Sequence, residues 1–447
     1  MEKNNSLGQM TRRNFLRLGG AAAGIAAWGA VGGQIQPDSR INAAPLNIKR
    51  LVVINLSGGN DSLNMVIPKT VPEYQTRRVG LAIPAGQELT LAAGPGNANY
   101  GLHPVMDRIQ MLWNAGDVAI VNKVGFPSVN QSHEVASGVY SYGVRGSFIP
   151  LGIPVSGWLA RYADAHVTTP MGVASVGFGK PIDFSGGTRT TFLVDSLSRF
   201  QFFSDPYFTN NHTHRINIIK SILATNTSPG LAAGVRNALD SSHALSVQVQ
   251  AAVADYVTNF DPLHLYRWPG FPNQTAMPPG KPATSISNRL RDISTLIYGG
   301  FDTQIFYTGT GGYDTHAAQG QGTGAQATLL EQLDDAVGAF ALDLQDMGQW
   351  NNTAIVIITE FGRRNYVNGS GGTDHGHGTA VIVLGGAVNG GVFGPAITST
   401  DLQGEYLPMG VDFRYIYNQL IATHLAKSTV TVFPEAYAAP GTPFALV

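Results

Sequence analysis

The chain has 447 residues, with 54 Gly, 25 Pro and no Cys, and only 13% of its residues are charged. A hydrophobic share of 43% can build a sizeable core and excludes general disorder, while the lack of Cys excludes disulfides, Cys-ligated zinc, iron–sulfur clusters, cysteine nucleophiles and a lipoprotein anchor. A formal net charge of −1 leaves no basic field of the kind a nucleic-acid binder needs.

The first segment reads as an address. Residues 11–17 are TRRNFLR, and LGGAAAGIAAWGAVGG follows from Leu18 to Gly33. Adjacent Arg12 and Arg13 ahead of a mildly apolar, small-residue stretch match a twin-arginine export signal. The run is too short and too Gly-rich for a stable membrane span, which needs about 20 strongly apolar residues. Small residues at Ala43 and Ala44 offer a cleavage site, so 1–44 reads as signal peptide and linker and 45–447 as the mature chain. Removing 1–44 takes away five basic and two acidic residues and brings the net charge to −4. That surface suits a periplasmic or extracellular protein delivered by the twin-arginine export machinery.

The mature chain alternates strands with helices. RLVVINL, from Arg50 to Leu56, is a continuous apolar run bounded by SGGND and reads as a buried strand. A helix follows from His103, with Val105, Ile109 and Leu112 at helical spacing and Gly116 as its stop. VAIVNKV (Val118 to Val124) is the second strand. Ser287 to Gly300 is an amphipathic helix, TQIFYTG (Thr303 to Gly309) the third strand, and Ala327 to Gly348 the longest helix. TAIVIIT (Thr353 to Thr359) and TAVIVLGG (Thr379 to Gly386) are the fourth and fifth strands, and Val411 to Lys427 a late helix. Such a pattern predicts an α/β fold with a mostly parallel sheet covered by helices on both faces. Residues of about 161–281 break the rhythm and read as a large insertion, in which His212 and His214 are expected to line a substrate rim.

In an open α/β sheet, ligands bind outside the carboxyl ends of the strands. Those positions here carry carboxylates and imidazoles. Asp61 follows the first strand, Ser132 and His133 the second, Asp314 and His316 the third, and Glu360 ends the fourth. Asp374, His375 and His377 lie in GGTDHGHG, just before the fifth. A mixed Asp/Glu/His set without Cys suits one or two divalent ions (zinc, manganese, calcium or iron) in a hydrolytic site. Each residue also has a plainer reading. Asp61 and Ser132 could cap helices, Asp314 could close an Asx turn, and Glu360 could pair with Arg363 or Arg364. The two His of DHGH could share one ion, or one could stand behind the other.

LVVINLSGGNDSLNMVIP, GGYDTHAAQ, ITEFGRRNYVNGSGGTDHGHGTAVIVLGG and VDFRYIYNQL together resemble a widespread, mostly uncharacterised family of twin-arginine-exported bacterial proteins. That family is similar to the alkaline phosphatase-like superfamily of phosphatases, sulfatases and phosphodiester hydrolases. The resemblance implies an alkaline phosphatase-like three-layer sandwich spanning 45–447. It implies metal ligands at Asp61, Asp314, His316, Glu360 and either His375 or His377, with Ser132 as nucleophile; the residue pattern itself adds Asp374 and the second of those His as ligands and His133 as a catalytic residue. Asn60, Arg363 and Arg364 would hold the anionic group. Phe361 stands where a second imidazole is expected, and no Ser-x-Pro-x-Arg sequence is present.

Two functions follow from these residues. One is an exported metal-dependent hydrolase of phosphate or sulfate esters, acting on a small-molecule or polysaccharide substrate. The alternative is a non-catalytic envelope protein on the same fold that holds a metal or binds polysaccharide. No nucleic-acid partner and no stable membrane span after cleavage are expected. A dinucleotide site lacks its fingerprint, because SGGND is not G-x-G-x-x-G.

Overall fold

The computed structural model describes residues 46–91, 97–146, 156–169, 171–189, 191–200, 217–219, 221–222, 224–225, 229–260 and 284–447. The export segment 1–44 and both His212 and His214 lie outside them. Two compact units are present. The larger falls within Asn47–Asp195, Tyr266–Ser294 and Asp302–Val447, and the smaller within Met1–Leu46, Ser196–Leu265 and Thr295–Phe301. In the smaller unit the helix Pro229–Asp255 runs into a wider turn at Tyr256–Phe260. Its Gln250 Nε2 donates to the carbonyls of Leu197 (2.9 Å) and Phe200 (2.7 Å).

The larger unit is organised by one nine-stranded sheet. Strand β1 is Arg50–Leu56. A small sheet follows, made of β2 (Val66–Pro68), β3 (Leu89–Thr90) and β4 (Tyr100–Leu102) in the order β2-β4-β3. The large sheet continues with β5 (Val118–Gly125), β6 (Val173–Val176), β7 (Phe192–Val194) and β8 (Ile305–Thr310). It ends with β9 (Thr353–Ile358), β10 (Thr379–Leu384), β11 (Gly391–Phe393) and β12 (Val411–Asp412). Its order is β11-β5-β10-β9-β1-β8-β6-β7, with β12 also paired to β5. Only β10 runs against its neighbours, so the sheet is mixed but mostly parallel.

Continuous apolar runs are what a sheet buried on both faces requires. On one face Leu51, Val53, Val121, Val356 and Val381 pack with residues of three helices, His133–Tyr142, Trp158–His166 and Phe413–Gln419. The opposite residues Val52, Ile54, Ile120, Phe306, Ile355 and Ile382 are equally buried. Away from that first cluster, the helices Asp107–Ala115 and Ala325–Asp346 are locked together through a side chain. Asp334 accepts the backbone N–H groups of Arg108 (2.9 Å) and Ile109 (2.8 Å), because Met106 at the helix start has no side chain that can cap it.

Two strands lie within the segment 161–281 that reads as an insertion. Val173–Val176 and Phe192–Val194 are strands of the main sheet, with β6 pairing β8 in parallel register from Val173↔Ile305. Strands of four and three residues carry too little periodicity to be seen in sequence. The late helix is also shorter than its pattern. Val411–Asp412 is strand β12, Asp412 Oδ1 caps the helix through Arg414 N (3.0 Å), and Leu420–His424 widens into a π turn.

Asp334→Ala strips both donors of their buried acceptor and should cost roughly 2 kcal/mol or more in denaturant unfolding. A change below about 0.5 kcal/mol, the range of ordinary surface substitutions, would show that the cap is dispensable.

Candidate metal centre

Strands β1, β5, β8 and β9 share one direction and β10 opposes them. The carboxyl ends of the first four and the start of β10 therefore meet at one edge of the sheet. After β1 the chain turns through Gly58 (φ +118°) and Gly59 (φ +69°), a backbone that L side chains rarely adopt. A Cβ on Gly58 would stand 2.5 Å from the backbone N of Asp314, so the first loop is pressed directly against the third. The segments 362–364 and 374–377 pair as a short ladder, with Arg364 N to Asp374 O at 3.0 Å, Gly376 N to Gly362 O at 2.8 Å and Gly362 N to His377 O at 2.9 Å.

Buried Arg363 ties these loops together. Its Nε donates to Gly59 O, Nη1 to Thr373 O (2.9 Å), and Nη2 reaches Gly58 O, Tyr313 O (3.3 Å) and Asp314 Oδ1. A planar fork of five donors spread over three nitrogens reaches more, and more widely spaced, carbonyls than the three donors on an ammonium's single nitrogen. Asn368 is a second hub. Its Oδ1 accepts from Ser370 N (2.9 Å) and Gly372 N (3.1 Å), and its Nδ2 donates to His316 O (2.9 Å) and Asp374 Oδ1 (3.0 Å).

Three imidazoles face Asp314 in this frame. His133 Nδ1 donates to Glu360 Oε1 (2.8 Å), His316 Nδ1 to Asp374 Oδ1 (3.0 Å) and His375 Nδ1 to the carbonyl of Gln131 (2.7 Å). Carboxylate and carbonyl oxygens only accept, so each ring spends its proton on the Nδ1 side. The Nε2 atoms that remain are bare. They stand 3.4, 3.0 and 3.0 Å from Asp314 Oδ1 for His133, His316 and His375 in turn. His316 Nε2 and His375 Nε2 are 2.9 Å apart, and the buried His133 Nε2 has no hydrogen-bond partner. Arg363 Nη1 lies 3.5 Å from His316 Nε2 and takes part of that ring's demand. The ligand atoms of His133, Asp314 and His375 all lie within 4.8 Å of one another. Lone pairs converging on one point, each ring oriented from behind by an acceptor, are the donor set of a metal site.

The electrostatics prepare the same set for a cation. Partial burial works to raise the Asp314 carboxyl, but the hydrogen bond and the charge of the Arg363 guanidinium outweigh it and hold it well below the usual carboxylate range. Asp374 is lowered by its bonds from Asn368 and His316. Burial lowers His375, against the pull of Asp314. At neutral pH these groups are deprotonated, the form a metal requires. Asp314 and His316 side chains are 44% and 42% exposed, so the centre is open to solvent on that side.

The structure brings together His133, Asp314, His316, Glu360, Asp374 and His375, with Glu360 and Asp374 behind imidazoles rather than among the converging atoms. The other expected residues are not among the converging atoms. Asp61 is buried, paired with Arg78, and accepts from Gln319 Nε2 (2.6 Å). Asn60 is buried too, and its Oδ1 accepts from Gln326 (3.0 Å). Arg363 has spent its donors on the loops, and Arg364 is held by Glu405 (3.1 Å) and Tyr366 Oη (2.7 Å). His377 is buried edge-on against Phe126 (5.2 Å between ring centres), because the glycine-flanked bridge is not a regular strand that aims both His the same way. Ser132 occupies the N-cap position of His133–Tyr142, yet its side chain makes no cap hydrogen bond. The carbonyl of Gln131, Arg78 and Asn368 were not foreseen. Only Asn368, in the polar Gly-rich run NGSGGTDHGH, left a trace in the sequence.

Residues 299–447 match a family model described as a protein of unknown function, DUF1501. No curated protein matches the chain. Among solved structures the chain is similar to a protein in the alkaline phosphatase superfamily from Vibrio parahaemolyticus, with 10% identity, 88% of this chain and 72% of that one covered, and a TM-score of 0.37. It is also similar to the PsFucS1 sulfatase from Pseudoalteromonas sp. (10% identity, 88% and 70% covered, TM-score 0.31). A third is the alkaline phosphatase from the Antarctic bacterium TAB5 (9% identity, 80% and 96% covered, TM-score 0.29).

Arg363→Lys keeps the charge but loses the fork. It should destabilise the protein by about 3 kcal/mol or more in denaturant unfolding, as expected when a buried charge network is broken. Wild-type stability in this variant would show that the loops hold their places without it.

Proposed function

We propose that the chain is an exported metal-dependent hydrolase of phosphate or sulfate esters, with its ion held by His133, Asp314 and His375 and with His316 beside them. The observation that carries this reading is the convergence of bare Nε2 atoms on Asp314 Oδ1, His133 Nε2 among them without a partner. Two imidazole nitrogens to one carboxylate favour zinc, manganese or iron over calcium, which seeks oxygen ligands. One ion is favoured over two, since the buried Asp61 already has the Arg78 guanidinium as its counter-charge.

When bound, the ion supplies Lewis acidity at the ester oxygen. The chain's own residues do the rest. Glu360 and Asp374 fix the tautomers of His133 and His316, and the Gln131 carbonyl fixes that of His375. Ser132 is exposed at the start of a ten-residue helix and free of a capping bond, and its hydroxyl serves as the nucleophile in this reading. The helix N-terminus beside it favours developing negative charge. Export by the twin-arginine route rests on Arg12, Arg13 and the small-residue run after them. No helix among the described residues is long and apolar enough to cross a membrane.

One observation favours the non-catalytic alternative. The fully buried Phe361 ring packs 5.0 Å from His133 and 4.8 Å from His375, where an imidazole could have added a ligand.

Elemental analysis of the purified mature protein, offered zinc, manganese and iron, tests the reading. Stoichiometric metal is expected, and it should be lost from an Asp314→Ala, His375→Ala double variant. Turnover of 4-nitrophenyl phosphate, 4-nitrophenyl sulfate or bis(4-nitrophenyl) phosphate should then fall by roughly 100-fold or more in Ser132→Ala. A metal-free wild type would sink the proposal. Stoichiometric metal without turnover of any ester would move it to the non-catalytic alternative.

A further inference from the structure

Behind the metal centre, within the larger unit, lies a cavity of about 30 Å³ whose lining includes Tyr140, Ser141, Asp183, Tyr417 and Glu360. By this measure a water needs roughly 10–15 Å³, so the space admits one or two. Its walls are unusually polar for their depth. Tyr140, Asp183, Tyr417 and Glu360 are each no more than 7% exposed.

The hydrogen-bond accounts of two wall groups do not close within the protein. Glu360 Oε1 accepts from Gly58 N (2.8 Å) and His133 Nδ1 (2.8 Å). Glu360 Oε2 has only the Thr359 hydroxyl, at 3.0 Å, and that hydroxyl lies closer to Leu56 O, at 2.6 Å. One hydroxyl has one proton to share between these two acceptors, so Oε2 keeps accepting capacity that the protein does not use. The buried Tyr140 Oη has no protein partner at all. Across the cavity, Asp183 accepts from Ser141 Oγ (2.8 Å) and Trp158 Nε1 (2.9 Å), while burial raises its carboxyl to about 6. Buried polar groups in native proteins find partners, and a small polar cavity between them is where a shared one belongs.

We propose that this cavity is a built hydration site: an ordered water donates to Glu360 Oε2 and bonds Tyr140 Oη, which makes Tyr140 a positioning residue for His133. The chain of action runs from Tyr140 through the water to Glu360, from Glu360 to His133 Nδ1, and so to the direction in which His133 Nε2 points. Its consequence for ion affinity rests on the metal reading above. Groups standing behind a metal ligand typically change affinity by 10–100-fold when removed.

The test compares Tyr140→Phe with Tyr162→Phe in the full mature protein. Tyr162 is also buried, but its hydroxyl donates to Gln304 (2.7 Å) and lies outside the cavity lining. Zinc affinity is read by competition with a chromogenic chelator, and the cavity is read in a high-resolution crystal structure of the wild type. Tyr140→Phe should bind zinc about 10-fold or more weakly, Tyr162→Phe within about 2-fold of wild type, and ordered water should contact Glu360 Oε2 and Tyr140 Oη. Unchanged affinity in Tyr140→Phe, an equal loss in Tyr162→Phe, or a dry cavity would overturn the inference. Should the wild type bind no zinc, the metal reading falls on its own, and the crystal structure alone decides the water: present it supports the site, absent it refutes it.

Discussion

A buried guanidinium is expensive to take out of water, and hydrogen bonds to its donors offset that cost. Arg363 makes such bonds by reaching the carbonyls of Gly58, Gly59, Tyr313 and Thr373 and the carboxylate of Asp314. Those acceptors come from the loops after β1 and β8 and the loop before β10, while Arg363 itself follows β9. One side chain thus closes the carboxyl edge of the sheet. The parallel strands bring the loop starts into line, but strands alone do not set where loop tips stand. The clamp does, and the direction of Asp314 depends on it.

From that frame the chemistry follows by proton accounting. Three rings each give their Nδ1 proton to an acceptor that can only accept. Their Nε2 lone pairs then have nowhere to turn except toward Asp314 and each other. Lone pairs within 3.5 Å of a carboxylate repel unless a positive charge stands among them. Arg363 supplies some of it to His316 and Asp314, and His133 lies on the side the guanidinium does not serve. That asymmetry is the reason the proposed ion is assigned to His133, Asp314 and His375.

Much of this was legible in the sequence. The five main strands stand within about two residues of where their apolar runs placed them, because buried parallel strands must be continuously apolar. The strand-end rule then pointed to every loop of the centre. What escaped was of two kinds. The short strands β6 and β7 carry no period and were absorbed into the insertion. Within the site, sequence gives residue type and not the partner. Asp61 and Glu360 both follow apolar strands, yet one meets Arg78 and the other stands behind His133. His375 and His377 are two positions apart, yet a glycine-flanked bridge turns one to Asp314 and the other to Phe126. A backbone carbonyl such as that of Gln131 has no signature in sequence at all.

The central claim is that a divalent ion sits among His133, His375 and Asp314. Diffraction from crystals of the mature protein soaked in zinc, recorded on either side of the zinc absorption edge, tests it most directly. The account predicts one anomalous peak in contact with His133 Nε2, His375 Nε2 and Asp314 Oδ1, with Arg78 still against Asp61. No peak there, or a peak at Asp61 with Arg78 displaced, would contradict it.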